Sequence, residues 1–209
     1  MVATFTDRRL RADAARNAER IVAAARKVYA DVGPDASPDA IARCAGVGER
    51  TLYRRFPTKA DLLRAALQNV AEDLTPAIEK ARVEEDPVRA IADLLEAAIS
   101  LAAREHNILA AARRLGPLTN DFPAPLYETL HDLTRRAQQA GLINADIVAE
   151  DLPRIIAMLH SVLPTMDTAG DGWRRYVIFI LNAMSTARPR KLPPASPICY
   201  TPQPDTWPS

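Results

Sequence analysis

The stretch from residue 37 to residue 59, SPDAIARCAGVGERTLYRRFPTK, has the pattern of two short helices joined by a tight turn. Ser37 is suited to cap the first helix with its side-chain oxygen. Pro38 fits the first helical position, because the N–H that it lacks would have no partner there. Gly46 is placed to end this helix, since glycine accepts the left-handed conformation that a sharp turn needs. The sequence therefore predicts a helix, a turn and a second helix.

The second helix is predicted from Glu49 to Phe56. Helical spacing puts Leu52 and Phe56 on the inward side. It leaves polar and cationic side chains on the outward side: Arg50, Thr51, Tyr53 and Arg54. A glycine turn followed by a short cationic helix is typical of a helix-turn-helix, whose second helix enters the major groove of DNA.

The same residues carry a family resemblance. The run TLYRRFPTK at 51–59, together with Ile41-Ala42 and Ala45-Gly46-Val47, resembles the DNA-binding head of the TetR family of transcriptional regulators, and the match extends upstream through residues 16–33. Two positions depart from the family pattern. Gly48 stands where the family commonly has Ser, and Arg55 where it commonly has His or Tyr.

The resemblance implies an all-α protein with a three-helix head and a helical-bundle body that binds a ligand and dimerises. In that family the last two long helices pair with their copies in a second subunit, and residues 147–166 and 171–187 occupy those positions here. A two-fold homodimer would place two heads on the half-sites of a palindromic operator in double-stranded DNA. A small-molecule effector in the body would release them.

Six residues are candidates for DNA contact. Tyr53 and Lys59 match family positions that commonly hold phosphates. Ser37 lies at a helix start, where free N–H groups favour an anion. The remaining three are exposed on the second helix and are placed to meet base edges: Arg50, Thr51 and Arg54. For Arg55 a phosphate contact and an intrahelical ion pair are both open.

Composition and charge agree with this interpretation. The chain has 209 residues, 48% of them hydrophobic and only 5% aromatic, which favours closely packed helices over a sheet. Residues 1–60 carry 12 Lys and Arg against 7 Asp and Glu, whereas residues 61–209 carry 15 against 19. A basic head on an acidic body suits a protein whose head binds phosphate.

The two cysteines, Cys44 and Cys199, have no metal-ligand or disulfide spacing, and we expect Cys44 to be a small buried residue. A reducing cytoplasm fits this usage. No signal peptide or apolar stretch of membrane-spanning length is apparent, so we expect no membrane association.

The pattern predicts about nine helices and three regions: an N-terminal arm and helix-turn-helix domain at 1–58, an effector-binding and dimerisation domain at 59–187, and a proline-rich tail at 188–209. Residues 1–13 are either a frayed terminus or a basic arm for DNA. Pro76 is expected to kink or end the long helix 59–82. Besides the helix-turn-helix and the two dimer helices, the predicted helices are 14–32, 59–82, 87–105, 107–115 and 126–140.

Two other classes of function find less support in the sequence. Glu128 and His131 have the Glu-x-x-His spacing of di-iron bundles, but the sequence has no second such pair, so no metal or other cofactor is expected. No phosphate loop, nucleophile elbow or catalytic set is present, which argues against an enzyme. A pocket in the body has apolar and polar candidates for its lining, none of them assigned as a site: Leu101, Leu109, Leu130, Ile155 and Leu159, with His106, Arg113, His131 and His160.

The sequence thus predicts a cytoplasmic, homodimeric DNA-binding regulator, a repressor released by a small molecule. A regulator controlled by a protein partner, or by none, is the alternative among binding proteins. A helical-bundle enzyme or metal protein is the alternative from another class.

Overall fold

The computed structural model describes residues 5–114, 124–166 and 170–186, with side chains from residue 13 onward. The described chain forms ten α-helices: α1 (Phe5–Val32), α2 (Pro38–Ala45), α3 (Glu49–Arg55), α4 (Lys59–Glu72), α5 (Thr75–Val83), α6 (Pro87–Arg104), α7 (His106–Arg113), α8 (Ala124–Gln139), α9 (Asp151–Val162) and α10 (Arg174–Met184). A short 3-10 turn, Leu163–Thr165, follows α9. The only β pairing in these residues is an isolated antiparallel bridge between Ile143 and Ser185. The prediction of an all-α fold is confirmed.

The chain forms two compact units. Unit 1 contains residues 1–73 and 105–123, and its described helices are α1 to α4 and α7. Unit 2 contains residues 74–104 and 124–209, and its described helices are α5, α6 and α8 to α10. The helix α4 therefore lies in the same compact unit as the predicted head. The domain boundary predicted between residues 58 and 59 remains a prediction about function. The tail predicted at 188–209 lies outside the described residues.

The helix α1 is the centre of unit 1, where it contacts α2, α4 and α7. Helical spacing in the sequence marks five apolar residues as one face of this helix, and four of them are buried: Ile21, Ala25, Val28 and Tyr29. The fifth, Val32, is exposed, because Gly33 turns the chain away directly after it. The helix also begins at Phe5, earlier than the predicted residue 14, since the segment 5–13 contains neither glycine nor proline to stop it.

The helix predicted at 59–82 is two helices, and this accounts for ten helices in the described chain where about nine were predicted. A proline clashes with the carbonyl four residues before it inside a helix. Pro76 would meet the carbonyl of Glu72, and α4 ends at Glu72. Pro76 then occupies the first turn of α5, where its missing N–H has no consequence.

The helix α6 is the centre of unit 2 and contacts α5, α8, α9 and α10. Helical spacing predicts an apolar stripe of five residues on this helix, and all five are buried: Ile91, Leu94, Leu95, Ala98 and Leu101. Ile99, which lies outside the predicted stripe, is fully buried as well, because helices pack against α6 from several sides. The observed bounds of α6, α7 and α8 agree with the predicted ones within two residues.

The helices α9 and α10 are shorter than predicted. Pro153 excludes residue 149 from a continuous helix by the same carbonyl clash, so α9 begins at Asp151 and not at residue 147. After α10 the chain is extended at Ser185, and the amide of Thr186 donates to the carbonyl of Leu142 at 3.2 Å. This pairing ends α10 at Met184, three residues before the predicted end.

Two glycines flank the turn between α2 and α3. Gly46 ends α2 in the left-handed region, with φ 63° and ψ 36°, and its N–H donates to carbonyls of α2. Gly48 begins α3 in an extended conformation, with φ −73° and ψ 149°, and provides no side-chain cap. No atom lies within 4 Å of a Cβ built at either residue. Both positions therefore have room for a side chain, and they differ only in backbone conformation.

This difference predicts opposite effects for the same substitution. Gly46→Ser should lower the free energy of unfolding by about 1–2 kcal/mol, because a side chain strains the left-handed region. Gly48→Ser should raise it by a few tenths of a kcal/mol, because its hydroxyl would accept from a free N–H of α3. Urea denaturation followed by circular dichroism measures both variants. Effects of the same sign would contradict this description of the turn.

Candidate nucleic-acid interface

The helix α2 begins as the sequence predicts. The hydroxyl of Ser37 accepts from the backbone N–H of Ala40 at 3.2 Å, and Pro38 is the first helical residue. Ile41 and Ala42 form its buried edge. The prediction for Cys44 was wrong, because its side chain is exposed. It lies to the side of the edge that packs inward.

The helix α3 is fixed by two apolar anchors and presents the opposite face to solvent. Leu52 is buried on the helix, and Phe56 is buried directly after it. Of the candidate contacts, Thr51 is half-buried, whereas three are exposed: Arg50, Tyr53 and Arg54. The structure therefore brings these four candidates together on one short helix, with polar groups directed away from the core.

Lys59 is the first residue of α4 and follows a complete capping box. The hydroxyl of Thr58 accepts from the N–H of Asp61 at 3.1 Å, and the Asp61 carboxylate accepts from the N–H of Thr58 at 3.1 Å. The hydrogen bond from the Thr58 hydroxyl is the main cause that lowers the pKa of Asp61. The carboxylate thus stays ionised and holds the N-terminal end of α4 in place. Ser37 and Lys59 accordingly lie at the starts of two helices, where anions are favoured.

Charge pairing in this region differs from that of most arginines in the described chain. Ten arginines elsewhere have a carboxylate oxygen within 4.0 Å. Among the described residues, no ion pair involves Arg50, Arg54, Arg55 or Lys59. Four cations within residues 50–59 are thus available to an external anion. Glu49 is the one acidic residue on α3.

Arg55 joins this group, although the sequence left its role open. The intrahelical ion pair does not form with any described residue, and the Arg55 guanidinium carbon lies 5.6 Å from the centroid of the Phe56 ring. This cation–π distance holds the side chain near the C-terminal end of α3 without neutralising its charge. The exposed position and the absence of an acidic neighbour three or four residues away were the signals in the sequence.

Tyr29 underlies the interface and was identified in the sequence only as a core residue. Its ring is buried, and its hydroxyl is the one buried side-chain polar atom in the described chain that lacks a hydrogen-bond partner. Burial raises the pKa of this hydroxyl to about 12. The ring lines a small cavity together with Leu52, Tyr53 and Lys59, and the Lys59 ammonium lies 6.0 Å from the ring centroid. Tyr29 therefore supports α3 and the start of α4 from below.

The residues considered for a pocket in the body belong to both compact units. His106, Leu109 and Arg113 belong to α7 in unit 1, where α7 contacts α1 and α4. The others belong to unit 2, and His131 there is exposed. The periodicity of α7 could not indicate which helices it contacts, because such contacts are non-local.

The Glu128 and His131 pair likewise gains no further ligand. Glu128 lies 3.8 Å from the guanidinium of Arg82. Over the described ranges, no three His, Cys, Asp or Glu side chains are grouped as metal ligands would be. In the same part of the chain, every helix is too short or too polar to cross a bilayer.

Comparisons with known proteins agree with this geometry. The family model described as bacterial regulatory proteins, tetR family, matches residues 21–66, which contain α2, α3 and the start of α4. The HTH-type transcriptional repressor LfrR of Mycolicibacterium smegmatis is 41% identical over 75 residues, which is 36% of this chain and 39% of that protein. The chain thus matches about two-fifths of the length of this curated relative.

Solved structures extend the similarity beyond the head. A TetR transcriptional regulator from Streptomyces coelicolor is 28% identical with a TM-score of 0.56, covering 81% of this chain and 99% of the other. A TetR transcription regulatory protein from Mycobacterium vanbaalenii is 29% identical with a TM-score of 0.55, covering 85% and 99%. The helix-turn-helix is thus matched by the tetR family model, and the fold is similar to that of TetR regulators over more than four-fifths of the chain.

Proposed function

We propose that the protein is a sequence-specific transcriptional repressor that inserts α3 into the major groove of double-stranded DNA. The observation that carries this proposal is the group of four cations on and beside α3 that have no ion pair among the described residues. Polyanionic DNA supplies the missing negative charge, and each neutralised phosphate releases counterions. The curated relative is a transcriptional repressor by name, which supports repression over activation.

We assign the candidate residues two roles from their positions. Arg50 and Arg54 are exposed on α3 and are placed to donate to base edges, with guanine the preferred partner of arginine. Ser37 and Lys59 lie at helix starts, where phosphate is favoured. Thr51 and Tyr53 complete the surface. Base contacts set the sequence preference, and phosphate contacts set the position of the head.

We propose that the working form is a homodimer built through α9 and α10. Both helices expose a large apolar side chain. Met158 on α9 is 55% exposed and Phe179 on α10 is 57% exposed. A second copy of the same surface would cover these side chains and place two heads on a palindromic operator. The predicted interface of 147–166 and 171–187 includes both helices.

We further propose that a small molecule bound within unit 2 releases the repressor from DNA in the cytoplasm. The similarity to TetR regulators supports this part of the proposal. A ligand shifts the equilibrium only by its differential affinity for the DNA-binding and released states. Control by a protein partner is the alternative.

Replacing Arg50 and Lys59 by alanine separates base reading from phosphate binding. Arg50→Ala should cost about 1–3 kcal/mol on a selected duplex and relax the preference at one base position. Lys59→Ala should weaken all duplexes alike and reduce the slope of log affinity against log salt by about 1. Fluorescence anisotropy at several salt concentrations measures both.

Arg135→Ala is the control for these variants, because Arg135 is exposed in unit 2 and paired with Asp132. It should bind DNA as the unaltered protein does. Unchanged binding by both Arg50→Ala and Lys59→Ala would overturn the proposed docking of α3.

Replacing Phe179 by aspartate tests the dimer. A carboxylate at the centre of a buried apolar interface is costly to desolvate, so Phe179→Asp should convert the dimer to a monomer. Val83→Asp is the matched control, since Val83 is 80% exposed on α5, outside the proposed interface. Sedimentation equilibrium measures both. A monomeric unaltered protein, or a dimeric Phe179→Asp variant, would contradict the interface.

A further inference from the structure

Arg26 is the hub of a part-buried polar network within unit 1. Its guanidinium donates to the Asn69 side-chain oxygen at 3.0 Å, to an Asp73 carboxylate oxygen at 2.7 Å, and to the Glu105 carboxylate. These acceptors come from three places: the last turn of α4, the residue after α4, and the residue before α7. One side chain of α1 therefore holds the end of one helix and the start of another.

The two carboxylates that Arg26 contacts lie where the chain passes between the two units. Unit 1 ends its first segment at Asp73 and resumes at Glu105. The chain between them, residues 74–104, belongs to unit 2. Both acidic partners of Arg26 are thus the residues at which the chain leaves unit 1 and returns to it.

The Arg26–Glu105 pair is more protected than the other ion pairs of unit 1, whereas the Asp73 side chain is 41% exposed. The Arg26 side chain is 22% exposed and that of Glu105 is 14% exposed. Desolvation by burial lowers the pKa of Arg26, but the hydrogen bonds and charges of Asp73 and Glu105 outweigh it, so the pKa is raised. Charged hydrogen bonds with restricted access to water are stronger than exposed ones, and removing one partner leaves the others under-satisfied. Without Arg26, two carboxylates would face each other.

Glu105 is committed to Arg26 and not to its own helix. It occupies the N-cap position of α7, yet its side chain makes no capping hydrogen bond there. Other contacts hold α7 to the α1 region, namely Asn107 to the carbonyl of Ala30 at 3.4 Å and the Arg114–Asp35 ion pair at 2.5 Å. Both involve exposed groups and are expected to contribute little.

Arg26 also lies one helical turn before Tyr29, the residue that supports α3 and the start of α4. Because α1 contacts α2, α4 and α7, a change at its Arg26 turn reaches the helices that carry the DNA-contact residues. Mutations at such nodes alter coupling between sites without touching either ligand.

We infer that Arg26 is a positioning residue for DNA binding, which fixes α4 and α7 on α1 at the two points where the chain passes between the units. This inference rests on the proposed function, since it assigns the network a role in presenting α3 to DNA. Arg26 makes no DNA contact in this role. If Asp73 or Glu105 moved, the Arg26 guanidinium would transmit this movement to α1.

The test uses the full chain with Arg26→Gln and, as a milder change that keeps a neutral acceptor, Glu105→Gln. The probes are a duplex selected by the unaltered protein from random DNA and a shuffled duplex of the same length. The ratio of the two affinities is the readout, because loss of folded protein lowers both affinities alike. Arg26→Gln should lower this ratio by about 2- to 30-fold, and Glu105→Gln by less. Amide hydrogen exchange should accelerate in α7.

Arg114→Gln is the matched control, because it removes an exposed pair that also joins α7 to the α1 region. It should leave the affinity ratio and the exchange of α7 unchanged. An unaltered ratio in Arg26→Gln, or an equal fall in Arg114→Gln, would overturn the inference while leaving the proposed function intact. If the unaltered protein selected no duplex, the proposed function would fail. The inference would fail with it, and faster exchange of α7 in Arg26→Gln would then show only that Arg26 holds α7 on α1.

Discussion

The burial of Leu52 and Phe56 is the constraint on which the interface depends. The helix α3 has seven residues, and a helix of that length is not stable in water by its own hydrogen bonds. Burying each of these side chains contributes about 1.5–3 kcal/mol, and together they set both the existence and the rotation of α3. Because Leu52 and Phe56 face the core, Arg50 and Arg54 on the opposite side of α3 face solvent. The left-handed turn at Gly46 and the capping box at Thr58 fix the two ends of this arrangement.

The charges on and beside α3 differ in their pairing from most arginines of the described chain. Elsewhere most arginines have a carboxylate nearby, and such exposed pairs contribute little to stability. Between residues 50 and 59 four cations have no such pair among the described residues, so their mutual repulsion is relieved only by salt or by an anion. This repulsion lowers the stability of the free protein, and the same unpaired charges are available to bind an anion. Arg26 differs from these cations, because Asp73 and Glu105 neutralise its charge within unit 1.

Local chemistry explains which features could be predicted from the sequence. The helix-turn-helix followed from Ser37, Gly46 and the inward spacing of Leu52 and Phe56, each of which acts within a few residues. The prolines at 76 and 153 are visible in the sequence: the break at Pro76 was expected, whereas the start of α9 was predicted without regard to the carbonyl that Pro153 would meet. That clash divided the helix predicted at 59–82 and delayed the start of α9. The candidate contacts on α3 were grouped correctly on one helix, although half-burial of Thr51 depends on neighbours that the spacing does not show.

Non-local packing explains what could not be predicted. Arg26 and Glu105 are 79 residues apart in the chain, and no periodicity indicates that they meet. The assignment of α7 to unit 1 has the same origin, so His106, Leu109 and Arg113 belong to a different unit from the other residues considered for a pocket. The Tyr29 hydroxyl lacks a hydrogen-bond partner because of the way in which several helices pack around its ring. Such features are set by tertiary structure alone.

The most direct measurement is selection of bound fragments from random duplex DNA at moderate salt with the purified protein. A dimer that presents two copies of α3 predicts enrichment of a palindrome whose half-sites lie about one helical turn apart. Recovery of no enriched sequence would contradict DNA recognition by α3. Recovery of a single half-site without symmetry would contradict the dimer through α9 and α10.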